Sequence, residues 1–231
     1  MKVFELKYKI CFLKDISRED VLIRVASCID RTLLKDEKWK CYHIENKLKE
    51  YSFCAPFPLP KDSTYKKYEV YQIIIRTLNI KLVEYLVENL PRYEDVYMKG
   101  IICEVKIIPK KHISKIYSLT PLIIKGSENG YWRDNMSFDE FGEQIKINLV
   151  KKYKLFVEKD FEEDFLFFSL IELKNKVPIK IKYKKIHLLG DKVDIQISDH
   201  PNAQLLAYMA QATGLGTMNQ RGYGFINVKI D

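Results

Sequence analysis

The stretch of this 231-residue chain best suited to holding a ligand is Gly214-Leu215-Gly216-Thr217-Met218-Asn219-Gln220-Arg221-Gly222-Tyr223-Gly224-Phe225, with four of the nine glycines in twelve positions. Glycine lets a backbone approach a ligand closely and turn its N–H groups toward phosphate. A glycine-capped helix end and a tight turn account for one or two of these residues. They do not account for a Gly-x-Gly pair on each side of a polar loop. The dinucleotide fingerprint fails because Asn219 stands at its third glycine, and the P-loop fails because no Gly-Lys-Ser/Thr closes it. Arg221-Gly222-Tyr223-Gly224-Phe225 fits the opening of the RNA-recognition-motif consensus. That consensus belongs on a third strand, and only six residues follow Phe225 here, so an ordinary motif of that kind is not expected. Arg221 is the best single candidate for a contact to phosphate or base.

Charge points the same way. Lys+Arg 39 against Asp+Glu 31 gives a formal charge of +8, which favours an anionic partner, nucleic acid or a membrane surface. Between Lys174 and Lys192 there are seven lysines and one acid, Asp191. Ile179, Ile181 and Tyr183 alternate with Lys180, Lys182 and Lys184, which gives one apolar face and one row of ammonium groups, and Lys185 breaks the phase as a bulge would. Such a strand is either an edge protected against aggregation or a track for phosphates. Tyr223 and Phe225 either stack on bases or join the core.

Hydrophobic residues make up 47% and aromatics 13%, enough for a packed core, so intrinsic disorder is excluded. The five cysteines are odd in number, and no two are spaced C-x-x-C. Neither a disulfide framework nor a zinc ribbon is expected, and the pattern suits a reducing, cytoplasmic setting. No signal peptide is expected from the charge-interrupted start, and the longest apolar run, Phe165 to Ile171, is too short for a bilayer. The acidic stretch Glu158, Asp160, Glu162, Glu163 and Asp164 reads as a solvated helix end, and no metal is expected.

The elements that must position these residues show two periodicities. Phe4, Leu6, Tyr8, Ile10 and Phe12 alternate with Glu5, Lys7 and Lys9, a half-buried strand. Ser17-Arg18-Glu19-Asp20 reads as a capping box for a helix from Arg18 to Leu34, with Val21, Leu22, Val25, Ile29 and Leu33 at helical spacing. Tyr51 to Phe57 reads as extended, Tyr68 to Leu78 as a strand, Ile80 to Leu90 as a helix, and Met98 to Ile108 as a strand. That order, β-α-β-β-α-β, is ferredoxin-like. Beyond it, strands are expected at Tyr117–Lys125, Phe165–Leu173, Ile179–Leu189, Lys192–Ser198 and Gly222–Ile230. Helices are expected from Ser137 (Phe141, Ile145, Leu149 and Tyr153 inward) and over Asn202–Ala212 (Leu205, Leu206 and Met209 inward).

The pattern G-h-G-x5-G-h-G, with h apolar or aromatic, resembles the C-terminal loop of the repeat-associated RAMP superfamily, and most closely its CRISPR repeat-processing endoribonuclease family. His43 and Lys49, six residues apart ahead of Tyr51-Ser52-Phe53-Cys54-Ala55-Pro56-Phe57, resemble that family's catalytic neighbourhood. Ser118-Leu119-Thr120-Pro121-Leu122 resembles the strand that opens its second domain.

The resemblance implies an α+β fold of two tandem ferredoxin-like domains, 1–113 and 114–231. It implies a metal-independent endoribonuclease, without cofactor, that cuts precursor CRISPR RNA within its repeats. In that reaction the upstream 2′-hydroxyl attacks and leaves a 2′,3′-cyclic phosphate and a 5′-hydroxyl. One group must take a proton, another must supply one, and a cation should stabilise the phosphorane. By resemblance His43 is the general base or acid and Lys49 the electrostatic stabiliser. Some members carry a helix tyrosine as a third group. The first helix here has none, so Tyr42, or Tyr51, either replaces it or only packs. The implied RNA-binding set is Gly214, Gly216, Asn219, Gln220, Arg221, Gly222 and Gly224, with Lys180, Lys182, Lys184 and Lys185 as a phosphate track. The implied partner is CRISPR repeat RNA, bound by a monomer or homodimer. The alternative is a non-catalytic RAMP subunit that holds guide RNA in an effector complex.

Overall fold

The computed structural model describes residues 1–124, 130–183 and 186–230. In its first half β1 (Val3–Phe12) is followed by β2 (Ile16–Ser17), α1 (Val21–Leu33), α2 (Glu37–Ile44), β3 (Tyr51–Phe53), β4 (Thr64–Tyr65), β5 (Val70–Thr77), α3 (Ile80–Asn89) and β6 (Met98–Ile108). The sheet runs β3-β5-β1-β6, with every pair antiparallel. Leu6, Tyr8, Ile10 and Phe12 share one core with Val25 and Ile29 of α1 and with Leu82 and Leu86 of α3.

Glu5 departs from the expected outward face and is buried. Arg76 Nε meets its carboxylate at 2.8 Å and Lys106 at 3.1 Å. Burial alone would raise the Glu5 carboxyl, and these two cations hold it below the usual value. The capping box is also corrected. Ser17 pairs into the β2–β4 ribbon, and its hydroxyl bonds Asp20. Helix α1 therefore starts only at Val21, without a side-chain cap. Helix α2 was not foreseen. Only Trp39 of its eight residues is buried, so no apolar stripe announces it, and Asp36 caps it through Trp39 N–H at 3.1 Å.

The second half holds β7 (Ile113–Ser118), α4 (Phe138–Phe156), β8 (Phe168–Leu173), β9 (Ile179–Tyr183), β10 (Ile186–Gly190), β11 (Val193–Ile197), α5 (Pro201–Thr213) and β12 (Ile226–Ile230). Its sheet runs β12-β7-β11-β8. With the ribbons β2–β4 and β9–β10 and the short helix α2 set aside, each half is β-α-β-β-α-β, with its first strand between its third and its fourth. The chain is thus an α+β protein of two tandem ferredoxin-like units.

Four expectations change here. Strand β7 ends at Ser118 instead of running through Pro121, which has no N–H to give a ladder; Lys125, its expected end, lies outside the described residues. The strand expected over Ile179–Leu189 is two strands, β9 and β10, paired with Tyr183 opposite Ile186. The phase break at Lys185 therefore marked a change of strand and not a bulge. The closing strand, expected from Gly222, begins only at Ile226, because Gly222 and Gly224 still belong to the turning loop. Helix α5 is buried on nearly every side from Leu206 to Thr213, not along one stripe. It lies between the two sheets. Tyr208 Oη donates to Ile108 O at 2.7 Å, and Ala212 O accepts from Ser52 at 2.8 Å. α4 opens where it was expected, and Ser137 and Glu140 form a capping box there. Among the described residues no helix is long and apolar enough to cross a membrane.

Candidate functional site

The glycine-rich loop begins where α5 stops at Gly214. Gly214, Gly216, Gly222 and Gly224 all have positive φ, between 64° and 86°, where a side chain is strained. Gly224 shows the second constraint: a Cβ there would stand 2.0 Å from Leu215 O. These glycines are buried, as is Asn219. Several of the loop's N–H groups, expected to cradle phosphate, are taken up by the protein's own carbonyls. Leu215 N bonds Gly224 O, Thr217 N bonds Ile123 O, Gly222 N bonds Asn219 O, and Gly224 N bonds Pro121 O, all at 2.8–3.0 Å.

The loop's oxygens converge on one cation. Lys152 of α4 is fully buried. Its Nζ donates to Gly214 O at 2.8 Å, Gly216 O at 2.9 Å, Asn219 Oδ1 at 2.8 Å and Thr213 O at 3.3 Å. Asn219 in turn donates Nδ2 to Leu215 O and Tyr223 O. Burial pulls the Lys152 ammonium down to about 7. Sequence reading missed this residue, although a signal was present. It stands three positions after Leu149 and seven after Ile145, on the inward stripe of its helix.

The outer side of the loop forms one wall of a cleft of about 750 Å³. Gln220 and Arg221 reach it from the loop, Lys151 from α4, Tyr183 from β9, and residues 42–49 from α2 and its exit. Among the described residues that line it, Lys47, Lys49, Lys151 and Arg221 stand against one carboxylate, that of Glu45, so the cleft favours an anion.

His43 sits in the last turn of α2, with its side chain 20% exposed. Its Nδ1 lies 3.3 Å from Asp30 Oδ1 of α1, and Asp30 Oδ2 accepts from Arg221. One carboxylate therefore joins α2, α1 and the glycine-rich loop. Asp30 was not foreseen; a lone acid on a helix carries no sequence signal of this kind. Lys49 is buried as a residue. Its ammonium donates to Tyr42 O and, at 2.9 Å, to Glu45 O, the carbonyls left open where α2 ends. Burial first, and then Lys47, lowers its pKa, against the pull of Glu45. Tyr42 packs edge-on against Trp39 with its ring under Lys49 Nζ. Burial pushes the phenols of Tyr42 and Tyr51 up, away from proton exchange near neutrality.

On β9, Lys180 and Lys182 point outward and Ile181 packs beneath with Ile123 and Tyr223. Lys182 also meets Asp20 at 2.8 Å. Lys184 and Lys185 lie outside the described residues. Tyr223 and Phe225 are buried, which makes them core and not stacking platforms. Among the described residues no group of three or more metal-ligating side chains comes together.

A family model, CRISPR associated protein Cas6, C-terminal, matches residues 105–228. Solved structures match over nearly their whole length. A RAMP protein described as binding different RNA substrates shares 14% identity over 98% of this chain and 99% of its own, with a TM-score of 0.72. The product of a Cas6-related gene from Pyrococcus furiosus shares 15% over 98% of each, with a TM-score of 0.70. A Cas6 product complex shares 13% over 99% of each, with a TM-score of 0.67. At such identities the likeness is one of fold. No curated protein matches by sequence.

Proposed function

The chain belongs to the CRISPR associated protein Cas6 family by its C-terminal half, and from that premise we propose that it is a metal-independent endoribonuclease that binds CRISPR repeat RNA and cuts it. The observation that carries this reading is the convergence of His43 and Lys49 with Gln220 and Arg221 on one cationic cleft, although they come from distant parts of the chain.

In the proposed reaction the 2′-oxygen attacks the adjacent phosphorus and the P–O5′ bond breaks. A 2′,3′-cyclic phosphate and a 5′-hydroxyl result. The proton leaves the 2′-hydroxyl and another reaches O5′; His43 carries one of these transfers, since an imidazole ring can both accept and donate a proton. Lys49, Lys47 and Lys151 lend positive charge to the phosphorane. Tyr42 packs against Trp39 with its ring under Lys49. The four glycines and Asn219 shape the wall, Gln220 and Arg221 face the RNA, and Lys180 and Lys182 guide its backbone. Incubation of a repeat RNA in EDTA tests this. Cleavage is expected from the wild type and not from His43→Ala, and a 2′-deoxy residue before the cut should stop cleavage but spare binding.

The second reading is a RAMP-type subunit that holds RNA without cutting. One observation favours it: the Lys49 ammonium is already engaged by two backbone carbonyls and is not directed wholly into the cleft. Tight binding without cleavage in EDTA would select it.

A further inference from the structure

The side chains around His43 hold one unmet requirement. Asp30 Oδ1 is buried and receives no hydrogen bond, although a buried carboxylate oxygen needs a donor. The His43 Nδ1 edge lies 3.3 Å away. The other oxygen, Oδ2, is taken by the Arg221 guanidinium. Arg221 has no acceptor to offer, so its bond fixes which way the carboxyl group faces. A proton on Nδ1 would give the orphan oxygen its donor. In imidazole the bond made by one nitrogen decides the state of the other. With Nδ1–H held by Asp30, neutral His43 presents an unprotonated Nε2.

We propose that Asp30, held by Arg221, is a positioning residue that fixes the His43 ring by Nδ1, so that the proton transfers of this site run through Nε2. The proposal rests on the reading of His43 as the proton-transfer group. It also gives Arg221 a second task, since a guanidinium tied to Asp30 orients the histidine from the opposite half of the chain.

Asp30→Asn tests it sharply because of Arg221. The guanidinium can only donate, so it will hold the amide oxygen and turn the amide NH2 toward His43. Nδ1 must then accept, and the proton moves to Nε2. Asp→Asn in a comparable carboxylate–histidine site costs about 10⁴ in rate through the wrong tautomer. Here cleavage is expected to fall by about 100-fold or more, with repeat-RNA affinity within about threefold. Imidazole ¹⁵N NMR of the free protein reads the tautomer directly, and there are only four histidines to assign. The wild type should show His43 protonated on Nδ1, and Asp30→Asn should show it on Nε2.

A wild-type His43 carrying its proton on Nε2 overturns the proposal, and this measurement needs no variant to fold. So does an Asp30→Asn protein that cuts at the wild-type rate while His43→Ala is inert. A parallel loss of affinity and rate would mark Asp30 as merely structural. If His43→Ala itself cuts normally, the catalytic reading of His43 has failed, and the two spectra alone decide whether Asp30 sets the ring.

Discussion

Replacing Lys152 by methionine removes the cation at the centre of the glycine-rich loop while keeping a long apolar stem. Three close acceptors, Gly214 O, Gly216 O and Asn219 Oδ1, lose their donor, at about 2 kcal/mol each, or about 6 kcal/mol together. Against this stands the cost of burying the charge. The ammonium falls from 10.5 to about 7, which at about 1.4 kcal/mol per pKa unit is about 5 kcal/mol. Near pH 7 the two nearly cancel, and Lys152→Met should be less stable than wild type by only about 1 kcal/mol. The folded pKa lies below the unfolded one, so between about 7 and 10.5 the unfolded chain holds a proton that the folded chain has released. Wild-type stability therefore rises with pH in that window, by up to about 1.4 kcal/mol per pH unit, and the methionine variant lacks this gain. By pH 9 the gap should reach about 3 kcal/mol. Urea unfolding of both proteins at pH 7, 8 and 9, followed by circular dichroism, measures it, since other titrations cancel in the difference. A gap that stays constant from pH 7 to 9 would show that four oxygens keep the ammonium charged throughout. A variant as stable as wild type at pH 9 would refute the role of Lys152 as the donor that holds the loop.

Gly224→Ala combines a φ of 65° with a Cβ 2.0 Å from Leu215 O, and should cost about 2–4 kcal/mol of stability, read as a shift in urea midpoint. Arg76 joins the halves, donating at 2.8 Å to Glu5, to Ile226 O and to Asn227 Oδ1. Arg76→Met should lose about 2–3 kcal/mol in thermal or urea unfolding, because Glu5 keeps only the Lys106 contact, and Ile226 O and Asn227 Oδ1 lose their donor. A Lys180→Gln/Lys182→Gln double variant should keep its stability and bind repeat RNA more weakly. Its log–log salt slope should be shallower by about 0.7 for each phosphate that the lysines no longer neutralise, and an unchanged slope would remove β9 from the RNA path.

Elements that carry a period were the ones legible from sequence. β1, β6 and α4 follow alternation or helical stripes, and their bounds fall within a few residues of the expectation. α2 escaped because one buried tryptophan makes no stripe. The β9–β10 ribbon escaped because a strand pair and a bulged strand share one pattern until a partner is known. α5 was expected as a helix, and only its burial on all sides escaped, because that is set by a second sheet that no local period reveals. The same holds for the site. His43 and the glycines stood out by type and spacing. Asp30 depends on a pairing across distant segments. Lys152 was visible as a cation on an apolar stripe, but its purpose required the loop carbonyls to be in place. The glycines themselves were read as ligand-facing, when positive φ and backbone crowding account for them from within.

Asp30 and Arg221 are 191 residues apart in the chain. At about 5–20 residues per second on a ribosome, the histidine side of the cleft emerges about 10–40 s before the arginine side. During that interval a nascent chain displays His43 with no opposing wall. The cleft closes only when the glycine-rich loop has emerged and Lys152 has gathered its carbonyls. Order of synthesis thus builds the two walls of the cleft in sequence, with the glycine-rich loop last.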